Sequence, residues 1–384
     1  MNRICQWITG TVLAATTLPT LNAQRLTVDQ LRQRLVEQMA AHKSDKEIAQ
    51  KAGSIELTER LTERTVEKLK VELQLGPKTV DALVLLSDTA VSLDPPVGEF
   101  PATQAPDDES STRMLQQAAE FAATTMHHMP DFLAVRATRS FDDSPEIVSE
   151  TGWVPAHTNL HFEGTFTQPI TYRDGREVTD NGNDSASTAP APSGLSTTGE
   201  FGPVLAVVLS DSHAGRIVWR HWEQTPAGVA AVFQFQVPKE TSHYAVNFCW
   251  QQFQVLSLMR MGHRFESHAD VSPGASDCYN GMTAYHGTLA VDPASGAVLR
   301  ISIESELPRS ISLTRAAINV QYGRVEIGGR IYICPVRSVA LSRVRYAATD
   351  SGPSRDLLRI NETTFAEYHR FGSSSSIVST GQPH

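Results

Sequence analysis

Chemistry in this 384-residue chain would have to come from its thirteen histidines, four cysteines and a few paired carboxylates. The histidines pair as His157 with His161, His263 with His268, and the adjacent His127 and His128. A zinc site wants three or four converging ligands with outer partners that orient them. No His-Glu-x-x-His run occurs, and Trp153, Leu160 and Phe162 around the first pair read as a half-buried sheet edge, so no metal is expected. Asp180-Asn181-Gly182-Asn183-Asp184 offers oxygen ligands of the kind Ca²⁺ takes, but it lacks the spacing and terminal glutamate of an EF-hand loop and reads as a polar turn. Glu304 and Glu306 fall on one face of a strand and read as a solvated pair rather than an acid–base couple.

Nucleophilic catalysis has no local signature either. There is no Gly-x-Ser-x-Gly elbow, and Asp350-Ser351-Gly352 has no base beside it. A phosphate-cradling loop and a dinucleotide fingerprint are both missing from the sequence, so no cofactor is expected. Triads assemble from distant segments, which keeps a hydrolase open as an alternative reading.

The compartment is more legible. Arg3 precedes an apolar run from Trp7 to Leu21 that is broken by Gly10 and Pro19 and ends at Asn22-Ala23, which predicts a secretory signal over residues 1–23. No second run approaches the eighteen or so apolar residues a spanning helix needs, so the mature chain is expected to be periplasmic or secreted, with no transmembrane segment. Three cysteines then remain, Cys249, Cys278 and Cys334. An oxidising compartment predicts one disulfide and one thiol left over. Cys249 with Cys278 would staple the base of the excursion between them; Cys249 with Cys334 is the competing pair.

The elements that must position these residues fall into two parts. Residues 24–95 read as an all-helical module of three or four helices. Thr27-Val28-Asp29-Gln30 opens a run with Leu31, Leu35, Val36 and Met39 at helical spacing. A second run carries Leu57, Leu61, Leu69, Leu73 and Leu75 to a stop at Gly76-Pro77, and a third runs from Lys78 to Val91. Residues 96–112 combine proline, acids and hydroxyls and read as a linker. One more helix is expected from Met114 toward His127. From Phe141 the period changes to two: Phe233, Phe235 and Val237, Tyr244, Val246, Phe248 and Trp250, and Leu299, Ile301 and Ile303 alternate with mixed partners. That is the pattern of an antiparallel sheet with one side packed. Residues 180–198 read as a mobile loop and 372–384 as a disordered tail.

The run Tyr285-His286-Gly287-Thr288-Leu289-Ala290-Val291-Asp292-Pro293-Ala294-Ser295-Gly296-Ala297-Val298-Leu299-Arg300 resembles a hairpin of the LolA and RseB type of periplasmic proteins. There a strand ends in Asp-Pro-x-Thr/Ser-Gly and the next strand carries an arginine. The resemblance covers roughly residues 130–371. It implies an α+β fold in which a curved antiparallel sheet, a half-barrel packed with helix, spans residues 113–371 behind the N-terminal helical module. It also implies a non-catalytic binding role, with a lipid or acyl chain in the concave face. Phe233, Phe235, Tyr244, Val246, Phe248 and Trp250, on strands expected to be neighbours, are the candidate lining. A protein partner docking through the helical module is the second reading.

Nucleic acid is excluded. Ser44 to Ala49 and Thr62 to Leu69 resemble the two helices of LuxR-type DNA-binding domains, but the gap between them is about twice what that turn allows. Residues 24–75 carry ten basic and nine acidic side chains, which gives no footprint for phosphate. The whole chain, at -9, points the same way.

Overall fold

The computed structural model describes residues 24–143, 159–178, 194–195, 199–253, 273–346 and 355–370. The signal segment, nearly all of 180–198, the tail, and His157, His263 and His268 lie outside the described residues.

The N-terminal module runs β1 (Gln24–Leu26), α1 (Val28–Ala40), α2 (Asp45–Ala52), β2 (Ile55–Leu57), α3 (Glu63–Leu73) and α4 (Pro77–Thr89). The Thr27 hydroxyl accepts from the Gln30 N–H and the Gln30 side chain accepts from the Thr27 N–H, so the box expected at the start of α1 is formed. Ser44 and Glu47 make the same reciprocal pair at α2. Gly76 cannot cap α4 with a side chain. Asp45 on α2 does so instead, its carboxylate accepting from the N–H groups of Lys78 (3.0 Å) and Thr79 (2.9 Å). Leu31, Leu35, Leu61, Leu69 and Leu83 fill the core of the module. The module is not all-helical: β1 and β2 pair in parallel. Leu57 belongs to β2, because the chain stays extended from Ile55 and the next helix starts only where Thr62 can cap it.

Helix α5 (Asp108–His128) begins six residues before Met114, inside the stretch read as linker, since the Asp107 carboxylate takes the Ser110 N–H. Then come β3 (Phe132–Asp142), β4 (His161–Arg173), β5 (Arg176–Val178), α6 (Pro203–Ala214), β6 (Arg216–Thr225), β7 (Gly228–Val237), β8 (Ala245–Phe253) and β9 (Pro273–Met282). The chain continues through β10 (Ala284–Val291), β11 (Val298–Glu306), β12 (Leu313–Ile327), β13 (Arg330–Tyr346) and β14 (Arg355–Arg370). Ten of these strands form one open antiparallel sheet in the order β5-β4-β3-β14-β13-β12-β11-β10-β7-β6, and β8 and β9 form a ribbon of their own. The protein is thus α+β, a large antiparallel sheet packed with helices. No helix among the described residues is long and apolar enough to cross a membrane.

Part of each face of the sheet is covered. Phe233, Phe235, Tyr285, Leu289, Ile301 and Val320 meet Met114, Ala118 and Ala122 of α5 and Leu205 and Val208 of α6. The alternate face, the mixed one in sequence, carries Glu223, Arg300, Arg337 and Glu362. The N-terminal module reaches this face, placing Arg60 on Glu223 and Asp88 on Arg337.

The hairpin Asp292 to Gly296 shows why its residues are needed. The Asp292 carboxylate accepts from the Ala294 N–H (3.2 Å) and the Ser295 hydroxyl (2.5 Å). Gly296 has φ +74, and a Cβ there would lie 2.6 Å from the Gln117 backbone, so the turn seats directly against α5.

Candidate functional site

Phe233 and Phe235 on β7 are fully buried, and the Phe235 ring meets Tyr285 edge-on at 5.9 Å. Tyr244, just ahead of β8, leans on Tyr285 at 5.2 Å, and Val246 and Phe248 join the same apolar cluster. Trp250 stands opposite Asp277 in the β8–β9 ladder. Phe233, Phe235, Tyr244, Val246 and Phe248 therefore do meet, but not as neighbours in one sheet. The sheet partners of β7 are β6 and β10, while β8 pairs with β9 alone. Pro238 and the single turn Lys239–Thr241 redirect the chain off the sheet before β8 begins. Between the sheet, α5 and α6 lies a small cavity of about 30 Å³ lined by Ala122, Phe201, Leu205 and Tyr322. That cavity has room for water and not for an acyl chain.

Helix α6 is the apolar cover of this cluster, through Val204, Leu205, Val208 and Leu209. It follows Gly199 (φ +85) and Gly202 (φ +143), has no side-chain N-cap, and stops at Gly215. Its polar anchor is Asp211, which is buried. The Asp211 carboxylate accepts from the Tyr285 hydroxyl (2.9 Å) and the His243 N–H (2.8 Å), and its other oxygen lies 2.6 Å from the His243 Nδ1. Burial, and then the bond to Asp211, push the Tyr285 phenol above its ordinary range, so it stays a donor. The His243 imidazole is 74% exposed, which leaves its far nitrogen to solvent. Such a carboxylate-oriented imidazole is half of a catalytic triad, yet among the described residues no hydroxyl or thiol is hydrogen-bonded to that ring. Next to this node an open groove of about 550 Å³ is lined by Gly215, Arg216, Pro238, Lys239, Glu240 and Glu306. Its size falls in the range of small-ligand clefts.

On the opposite face the charges were not legible as a site in the sequence. Glu223 on β6 takes two guanidinium N–H groups of Arg300 and sits 2.5 Å from Arg60 of the module. Burial pushes the Glu223 carboxyl up, but the Arg300 charge and hydrogen bonds outweigh it and hold the group well below the usual carboxylate range. Burial and the Arg300 charge pull Arg60 down to about 10. Arg337 bonds both Asp88 (2.6 Å) and Glu362 (3.0 Å), while burial still carries Asp88 up to about 6. Phe100 stacks on His221 at 4.5 Å, and the Trp222 indole donates to the Gln104 carbonyl, so the segment read as a linker touches the sheet at two points. Arg300 is the arginine of the hairpin motif, and in this chain it holds the Glu223 carboxylate that meets Arg60 of the N-terminal module.

Cys249 and Cys278 stand directly opposite in the β8–β9 register. Cys334 is free and buried in β13, its thiol pushed up to about 12 by burial.

Comparison with protein families, with characterised proteins and with solved structures finds no match for this chain.

Proposed function

We propose that the chain is a secreted or periplasmic, non-catalytic binding protein that takes a hydrophobic or acylated ligand between its sheet and α6. The observation that carries this reading is α6 itself, an apolar helix on an apolar sheet face, flanked by glycines and tied through the buried Asp211 carboxylate. The LolA-like hairpin Asp292 to Gly296 supports it by analogy. In the closed conformation Phe233, Phe235, Val246 and Phe248 cover one another; lifting α6 exposes them as a lining. Docking of a partner through the N-terminal module has less support. That module places its buried charges against its own sheet, and among large apolar side chains of its helices only Val36 and Val71 are exposed.

A fluorescent fatty-acyl probe tests the reading on the mature protein. Saturable binding at one site per chain, competed by unlabelled fatty acid, is the expected result. Absence of saturable binding to folded protein would overturn it.

A further inference from the structure

A second site is built into the other end of the sheet, on β3 and β4. Asp142 and His161 are direct partners across the ladder, and Glu163 follows two residues along β4. The His161 Nε2 lies 2.8 Å from the Glu163 Oε1 and 3.3 Å from the Asp142 Oδ1. The three donor atoms all fall within 4.8 Å of one another. We propose that Asp142, His161 and Glu163 bind a divalent transition-metal ion, with Zn²⁺ the best fit to one imidazole and two carboxylates.

The geometry points to an ion for three reasons. First, bonds of about 2.0–2.1 Å in a tetrahedral arrangement set donor atoms roughly 3.3 Å apart, and the imidazole nitrogen already stands 3.3 Å and 2.8 Å from the two carboxylate oxygens. Second, one Nε2–H can be directed along only one of the two lines to the carboxylates, whereas a cation satisfies both oxygens and the lone pair of a neutral imidazole together. Third, the site is preorganised. Asp142 is buried, and its Oδ2 is held by the Arg359 guanidinium at 3.3 Å, which turns Oδ1 toward His161 in the way outer partners orient metal-binding carboxylates. The Arg359 guanidinium offsets part of the carboxylate charge. The His161 and Glu163 side chains are partly exposed, so an ion can enter and keep water in its remaining position. Its other donors are 19 residues upstream and two residues downstream of His161, a spacing distinct from the His157–His161 pair of the sequence.

The test is calorimetric titration of chelator-treated mature protein with Zn²⁺. One equivalent is expected to bind, with affinity reduced at least tenfold in both His161→Ala and Glu163→Gln. Glu163 is exposed enough for its substitution to leave the fold intact, and circular dichroism checks this. Failure to bind one equivalent, or unchanged affinity in folded Glu163→Gln, would overturn the assignment, the latter because other histidines would then account for the heat.

Discussion

Glu223→Gln is the sharpest perturbation of the joint between the N-terminal module and the sheet. The wild-type carboxylate, with its side chain 7% exposed, lies between the guanidinium groups of Arg60 and Arg300, themselves 9% and 12% exposed. The amide keeps the volume but leaves two like charges facing each other out of water. Burial and Arg300 already draw Arg60 down with the carboxylate in place, and the substitution removes the larger part of what opposes them, leaving Asp94. Breaking a buried pair by removing one partner costs about 3–5 kcal/mol, because the remaining charge is uncompensated. Against a total stability of roughly 5–15 kcal/mol this is a large fraction. Urea unfolding followed by tryptophan fluorescence measures it, and the same loss should make the segment 96–107 more open to protease as the module loosens. A change under about 1 kcal/mol, with unaltered cleavage there, would show that the buried ion cluster does not hold the two parts together.

Other consequences are smaller and independent. Burial raises Asp88 from 3.8 to about 6, so between those values the folded protein keeps a proton the unfolded chain has released, and its stability falls as pH rises. The stability of wild type relative to Asp88→Asn should therefore drop by about 2 kcal/mol from pH 4 to pH 6 and level off above about pH 7; a flat difference contradicts the assignment. Gly296→Ala forces an L side chain to φ +74 and against the Gln117 backbone, which should destabilise by about 1–3 kcal/mol in thermal melts, whereas a neutral effect would mean the hairpin does not seat on α5. Directly opposed residues of an antiparallel ladder have Cα atoms at disulfide range, and we propose that Cys249 and Cys278 are bridged. Thiol counting on denatured mature protein should find one thiol, that of Cys334; three would refute the bridge.

The sequence carried the fold class well because alternation and helix caps are local. Thr27, Pro77 and the period-two runs of β7 and β11 mark their elements by chemistry that acts within a few residues. It failed at β8, where alternation predicted a strand but could not say which sheet the strand joins; pairing is decided by Pro238 and the turn behind it. The module's parallel ladder was hidden for a similar reason, since three-residue strands have no measurable period and Leu57 fits a helical stripe as well as an extended one. The candidate sites were legible only in part. Apolar members of the cluster announce themselves by type, so Phe233, Phe235, Val246 and Phe248 were found together. The polar nodes were not. Asp211 meets residues 32 and 74 positions away, and Glu223 meets Arg60 and Arg300 from far upstream and downstream, with no spacing rule that links them.

The central claim is that α6 lifts from the sheet to admit an acyl chain, and Asp211→Asn tests it most directly. The amide preserves the shape of the anchor while weakening its bonds to Tyr285 and His243, so the helix should open more often. Stopped-flow mixing with a fluorescent fatty-acyl probe should then give an association rate several-fold above wild type, with binding still saturating at one probe per folded chain. An equal or slower rate in a folded variant, or binding that never saturates in either protein, would contradict the account.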